Sequence, residues 1–298
     1  MFLVMTIVFV VLRVGPSDPA HYMLGDYATA ESLKKLRETM ELDHPIYVQY
    51  FSFLKRLIHG DLGASFHNQQ PVLSQLLTVL PFTIELVIAG VLVGIVIGMP
   101  PGIIAALRPN GYFDQFIRLI TLVGISVPIF VMGIFTISVF SLKLNLLPAI
   151  GGGEAGDLKS HLLHLILPAF SCGFMMMASI ARLTRAALLD VLNKDYILTA
   201  RAKGVSETLV VCKHALRNSL LPLITFLGIY VNILLGSAVL VEVIFTRPGV
   251  GRLIVEAIKS NDFPIVQTTI MLYAGAVVVV NLLIDIVYGF VDPRIVYK

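Results

Sequence analysis

Long uncharged apolar runs, separated by short polar and charged stretches, organise this chain. Five of them, 86–107, 119–142, 162–181, 218–241 and 263–284, reach or exceed the roughly 20 residues that a helix needs to cross hydrocarbon about 30 Å thick. Lys143 closes the second of these runs. A sixth run, from Met1 to Val14, would extend only about 21 Å as a helix, so it is expected to be a truncated first transmembrane helix. A cleavable signal peptide is the alternative, with Ala28-Thr29-Ala30 as its small-x-small site. No basic n-region precedes that run, however, and Gly15-Pro16-Ser17-Asp18-Pro19 intervenes well before the site. The pattern therefore predicts an all-α polytopic membrane protein with about six transmembrane helices.

Composition agrees with the pattern. Hydrophobic residues make up 57% of the chain and charged ones 14%, against about 25% charged in a soluble domain, which is too apolar for one water-exposed globule. The charges are unevenly spread. Segment 182–217 holds seven basic residues (Arg182, Arg185, Lys194, Arg201, Lys203, Lys213, Arg217) against Asp190, Asp195 and Glu207, whereas the remainder holds 15 basic and 16 acidic residues. The positive-inside rule puts that segment in the cytoplasm. Counting spans outward, the 105–118 turn and both termini fall on the same side, and 15–81, 143–161 and 242–262 fall outside. The expected organisation is a first helix at 1–14, a periplasmic segment at 15–81, a five-helix core at 82–290 with a cytoplasmic loop at 182–217, and a tail at 291–298.

Several residues inside the runs carry candidate roles. Gly90, Gly94, Gly98 and Gly102 recur every fourth residue on one helical face, where a neighbouring helix, of this subunit or of a second one, can approach closely. Pro100-Pro101, Pro128, Pro168, Pro222 and Pro264 interrupt or open spans, as neighbouring helices or a cavity permit. Glu85 and Asp285 stand near span ends, either as solvated or locally paired groups or as the ion site of a gradient-driven transporter. His161 and His164 lack a nearby cysteine or carboxylate in sequence, so no metal site is expected. Cys172 and Cys212 suggest neither a disulfide framework nor a metal cluster. The chain contains no phosphate-binding G-x-x-x-x-G-K-[ST] loop and no hydrolase motif.

The basic segment "DYILTARAKGVSETLVVCKHALRNSLLP", 195–222, favours a helix from Asp190 to Lys203. Gly204 suits the C′ position, Ser206 an N-cap, and a second helix runs from Glu207 to about Arg217. Apolar Tyr196, Ile197, Ala200, Val205, Leu209 and Cys212 alternate with charges, which gives a packed face and a solvated one. An anchor for anionic lipid headgroups is one reading, and a coupling loop for a cytoplasmic partner is another. A helix-turn-helix DNA reader would have too little reach, since both ends are tied to spans; no nucleic acid partner is expected.

This segment resembles the cytoplasmic loop of ABC-importer permeases of the dipeptide, oligopeptide and nickel group, a variant of the EAA loop. Further resemblances follow in matching order: "LRVGPSDPA" at 12–20, "GDLGASF" at 60–66, "LPFTIELVIAG" at 80–90, "VEVIFTRPGVGRLIVEAIKSNDFPIVQ" at 241–267 and "NLLIDIVYGFVDPRI" at 281–295. Departures stand out in two places. Leu198-Thr199-Ala200 replaces the Glu-Ala-Ala triplet and Gly204 stands further from Pro222 than in sugar-type permeases, both of which look normal for the peptide group, and the upstream basic residues and first half of the opening helix usual in the family are missing.

The resemblance implies the type I permease fold in a bacterial inner membrane and a path for short peptides, with glutathione or nickel as alternatives. It implies that Asp195, Tyr196, Thr199, Ala200, Arg201, Ala202, Lys203, Gly204 and Glu207 meet an ATPase subunit. The partners implied are two cytoplasmic ABC ATPases, which use the ATP and Mg that this chain does not bind, together with a second homologous permease, a periplasmic solute-binding protein and membrane lipid. An ion-coupled secondary transporter and a membrane scaffold without transport are the rival readings.

Overall fold

The computed structural model describes residues 2–14, 20, 29–39 and 42–291. Among them every extended element is helical, the form in which backbone groups satisfy one another within lipid. The Gly15–Pro19 stretch, Ala28 and the tail from 292 lie outside the described residues, as does the side chain of Asp285.

The first helices with described bounds are α1 (Phe2–Val14), α2 (Ala30–Thr39) and α3 (Ile46–Ile58), all short. Helix α4 (Val72–Leu107) starts inside the 15–81 segment, well before the apolar run itself. The 119–142 run is not one straight span. It divides into α5 (Tyr112–Ser126) and α6 (Ile129–Thr136), the latter continuing as a π-helical turn over Ile137–Lys143, with a bend of 102° between the two parts. Pro128 causes the break, because it lacks an N–H and forces Val127 into extended geometry (φ −83°, ψ 120°).

Helix α7 (Leu158–Leu192) is capped by Asp157, whose side chain accepts from the Lys159 amide. Helix α8 (Asp195–Ala202) follows, then α9 (Glu207–Ile244), α10 (Val250–Lys259) and α11 (Phe263–Val291). Among the described residues four helices are long and apolar enough to cross a membrane, and the bent α5–α6 pair makes a fifth span if counted as one.

The chain forms two compact units, 1–81 with 248–278, and 82–247 with 279–298. In the first, Phe9 stacks on Phe53 and meets Tyr50 edge-on, while the Arg13 Nε donates to Gln49 at 2.8 Å. Val72, Leu76, Val250, Ala257, Ile265 and Val266 make its apolar cluster. Ser65 donates to buried Asp262 at 2.5 Å, and Thr268 donates to the Leu62 carbonyl at 2.9 Å.

In the second unit the glycine face of α4 lies against α7. A Cβ built on Gly90 would stand 2.9 Å from the Cys172 Cβ, one on Gly94 2.8 Å from the Met176 side chain, one on Gly98 2.5 Å from the Met177 carbonyl oxygen, and one on Gly102 2.5 Å from that of Ala181. The four glycines thus face a helix of this same subunit. From α7, Gly173 returns the contact, its Cβ position lying 2.6 Å from the Gly90 carbonyl oxygen.

Candidate functional site

The loop between α7 and α9 departs from the helix boundaries expected of it. Helix α7 runs on through Asp190 to Leu192, and the chain then breaks at Asn193 and Lys194, the latter extended (φ −80°, ψ 147°), before α8 begins at Asp195. The first loop helix therefore does not start at Asp190. The second does not stop near Arg217. No glycine or proline stands between Ser206 and Pro222, so the helix from Glu207 passes through a π-helical turn at Val210–Ala215 and continues to Ile244. Gly204 turns the chain between the two helices at φ +74°, in the left-handed region that glycine enters without steric penalty. Ser206 takes the N-cap position in extended geometry, with no side-chain cap hydrogen bond.

This loop is seated by one side chain. Ile197 is 0% exposed and packs with Leu188 and Leu192 of α7, Ala106 of α4, and Val210 and Ala215 of α9; Ala200 and Val205 press on the same cluster. Burying an isoleucine of this kind is worth about 1.5–3 kcal/mol, so α8 is held against the ends of three long helices and does not hang free. Tyr196, Leu209 and Cys212, expected to alternate with the charges on a packed face, are instead exposed. The Tyr196 hydroxyl accepts from Asn218 at 2.9 Å.

The outer face of α8 and its turn comprises Asp195, Tyr196, Leu198, Thr199, Arg201, Ala202, Lys203, Gly204 and Glu207, all exposed, with Tyr196 at 44% and Leu198 at 54%. Arg201 reaches across the turn to Glu207, donating from Nη2 at 2.6 Å and from Nε at 3.1 Å. Those hydrogen bonds hold the Arg201 guanidinium above its ordinary range. The face therefore presents two exposed apolar side chains, an ion pair and the Lys203 ammonium, on a helix whose other side is buried.

Two charge networks that local sequence did not reveal flank α4 and α7. At one end, buried Asp114 of α5 accepts from Arg185 of α7 through both Nε and Nη2, and from the Asn110 amide at 2.9 Å. At the other, Glu85 accepts from the Arg247 Nη2 and the His161 Nε2, each at 2.8 Å. His161 Nδ1 lies 2.8 Å from the Gly152 carbonyl. The ring thus lies between a main-chain carbonyl and the Glu85 carboxylate. His164 Nδ1 turns to the Ser160 carbonyl at 2.7 Å.

Arg247 is 0% exposed and lies over the Phe82 ring, while Thr83 donates to Glu242 at 2.6 Å nearby. Burial pulls the Arg247 guanidinium below its ordinary range, and the Glu85 and Glu242 carboxylates oppose that. Glu85 is thus a paired group in this structure. Its partners lie 76 and 162 residues away, a separation that leaves no pattern in the sequence.

Comparison with known proteins covers the whole chain. Residues 98–297 match the family model for the binding-protein-dependent transport system inner membrane component, and residues 1–87 match the model for the N-terminal part of such components. The glutathione transport system permease protein GsiC of Shigella flexneri serotype 5b (strain 8401) is 38% identical over 298 residues, which is 100% of this chain and 95% of that protein. The dipeptide transport system permease protein DppB of Alkalihalophilus pseudofirmus is also 38% identical, over 98% of this chain and 95% of its own length. A chain of the MetNI methionine ABC transporter in an inward-facing conformation superposes with a TM-score of 0.60 at 19% identity, covering 74% of this chain and 97% of that one.

Proposed function

Since the chain belongs to the family of binding-protein-dependent transport system inner membrane components and is a permease subunit of the ABC importer type, we propose that it forms one half of a path for short peptides, driven through α8 by ATPase partners. It has the all-α type I permease fold. The observation that carries the proposal is the placement of α8, with Ile197 anchored among α4, α7 and α9 and the opposite face exposed. A helix held in this way passes a push from a docked partner directly into three long helices.

In this reading two cytoplasmic ATPases bind ATP and Mg, and this chain binds no cofactor. One ATPase meets Tyr196, Leu198, Arg201, Lys203 and Gly204, and the second serves a homologous permease that completes the path. Both termini and the α8 loop lie in the cytoplasm of a bacterial inner membrane. A solute-binding protein delivers cargo to the opposite side, at 15–81 and 242–262. Glutathione and dipeptides are the favoured cargo, after the relatives that share essentially the full length of the chain. Transport then rests on contacts that differ between conformational states, with no chemistry in this chain.

The test is crosslinking from Lys203→Cys in a complex purified after co-expression with candidate ATPase and permease partners. A product containing a nucleotide-binding ATPase is expected. If position 203 labels with lipid-phase reagents and never with an ATPase, the loop is a headgroup anchor and the docking assignment fails.

A further inference from the structure

Helix α5 has no direct share in the Ile197 cluster, so the motion of α8 reaches it by a route through α4 or α7, where Ile117 meets Ala105 and Ala181 and Asp114 meets Arg185. We infer that Asp114 and Arg185 supply that route, as a positioning pair that locks the register of α5 on α7 and so couples ATP hydrolysis to the movement of the bent span; this rests on the importer reading above.

The geometry is specific. Asp114 sits in the first turn of α5 and is wholly buried. The Arg185 guanidinium grips both of its oxygens, Nη2 at 2.7 Å from Oδ2 and Nε on Oδ1. A planar fork on a carboxylate fixes distance and rotation together, which a single charge cannot do. The Asn110 amide donates to Oδ2 at 2.9 Å, and Arg118 lies 3.8 Å away on the same helix. Further along α5, Ile117 packs against Ala105 and Ala181, and a Cβ on Gly124 would lie 2.8 Å from that of Ala178. Those contacts are apolar and carry no direction, whereas the fork ties one point of α5 to one point of α7.

Its position completes the path. Leu188, one helical turn beyond Arg185, is in the cluster that holds Ile197. A push on α8 therefore reaches α7 and α4 through apolar packing and α5 through the fork. From α5 it arrives at the 102° bend into α6.

The experiment uses the complete complex in proteoliposomes with its binding protein, radiolabelled glutathione and Ala-Ala as probes, and reads uptake per ATP hydrolysed. For Asp114→Asn and Arg185→Gln, assembly and ATP hydrolysis are expected to persist while uptake per ATP falls about tenfold, within the roughly 5–150-fold span of couplings between sites. Arg185→Lys, which restores the charge without the fork, is expected to recover little. An Asp114→Cys/Arg185→Cys complex bridged by a short bis-thiosulfonate should regain coupling and lose it on reduction.

Unchanged uptake per ATP in the single variants overturns the inference. So does a loss in which hydrolysis, uptake and thermal stability all decline in proportion, since that marks a merely structural staple. If the single variants fail to assemble, the bridged cysteine pair decides, and no gain on bridging overturns it. A wild-type complex that imports neither probe and forms no residue-203 crosslink to an ATPase overturns the importer reading along with the pair, whereas wild-type import with unaffected variants overturns only the pair.

Discussion

Replacing single glycines on α4 by alanine tests whether α4 and α7 meet through their backbones, because the four positions face different obstacles. At Gly98 the new methyl would lie 2.5 Å from the Met177 carbonyl oxygen and 3.0 Å from the Met177 Cα. An ordinary C···O contact is about 3.3 Å or more, so the helices must part by roughly 0.8 Å. A gap of that order forfeits about a quarter to a half of each dispersion contact along the seam. Overpacking of this kind costs about 1–3 kcal/mol, of which about 1 kcal/mol is returned by the better helix propensity of alanine. At Gly94 the nearest atoms are Cγ and Sδ of Met176, 2.8 Å away. A methionine side chain can change rotamer, as a main-chain carbonyl cannot. Gly98→Ala is therefore expected to be less stable than Gly94→Ala by about 1–2 kcal/mol, a factor of roughly 5–30 in the ratio of folded to unfolded protein. The assay is the temperature at which half of a fluorescently tagged, lipid-supplemented sample loses its monodisperse peak. Equal melting of the two variants, or a lower value for Gly94→Ala, would refute backbone contact as the basis of the seam.

Two further predictions follow from the loop and the opposite charge network. Nothing lies within 4 Å of a Cβ placed on Gly204, and its φ is +74°; Gly204→Asn, which tolerates that region, should keep both fold and uptake, while Gly204→Asp should insert normally and abolish uptake by setting a carboxylate in the docking face. Uptake by a well-expressed Gly204→Asp protein would count against ATPase docking there. Removing Glu85 takes from buried Arg247 its hydrogen-bonded carboxylate, with Glu242 still acting on it, so Glu85→Ala should lose about 1–3 kcal/mol, and Glu85→Ala/Arg247→Ala should melt higher than Glu85→Ala alone; a double variant as unstable as the sum of its parts would show that the two groups act independently.

What could be read in advance was what repeats or breaks locally. Glycine at every fourth position from Gly90 to Gly102, Pro128 inside an apolar run and Gly204 before Ser206 each act on their own neighbourhood, so their consequences were visible in a short window. The π-helical turn at Val210–Ala215 was not, because one extra residue per turn leaves composition and periodicity almost untouched. Nor were the pairs Asp114–Arg185 and Glu85–Arg247, whose members are 71 and 162 residues apart. Charge counting marked Arg185 only as part of a basic segment, and nothing in that count distinguished a buried fork from a solvated side chain. The exposure of Tyr196 and the burial of Ile197, adjacent on a two-turn helix, likewise depended on the cluster that Leu188, Val210 and Ala106 form around one of them.

The α4–α7 seam also bears on how such a subunit diversifies. Where helices touch through main-chain atoms at Gly98, Gly102 and Gly173, their spacing depends on keeping those residues small. Substitutions on the opposite faces of the same helices do not enter that seam. A lineage can then exchange the side chains that cargo meets, one substitution at a time, without first acquiring compensating changes in the scaffold.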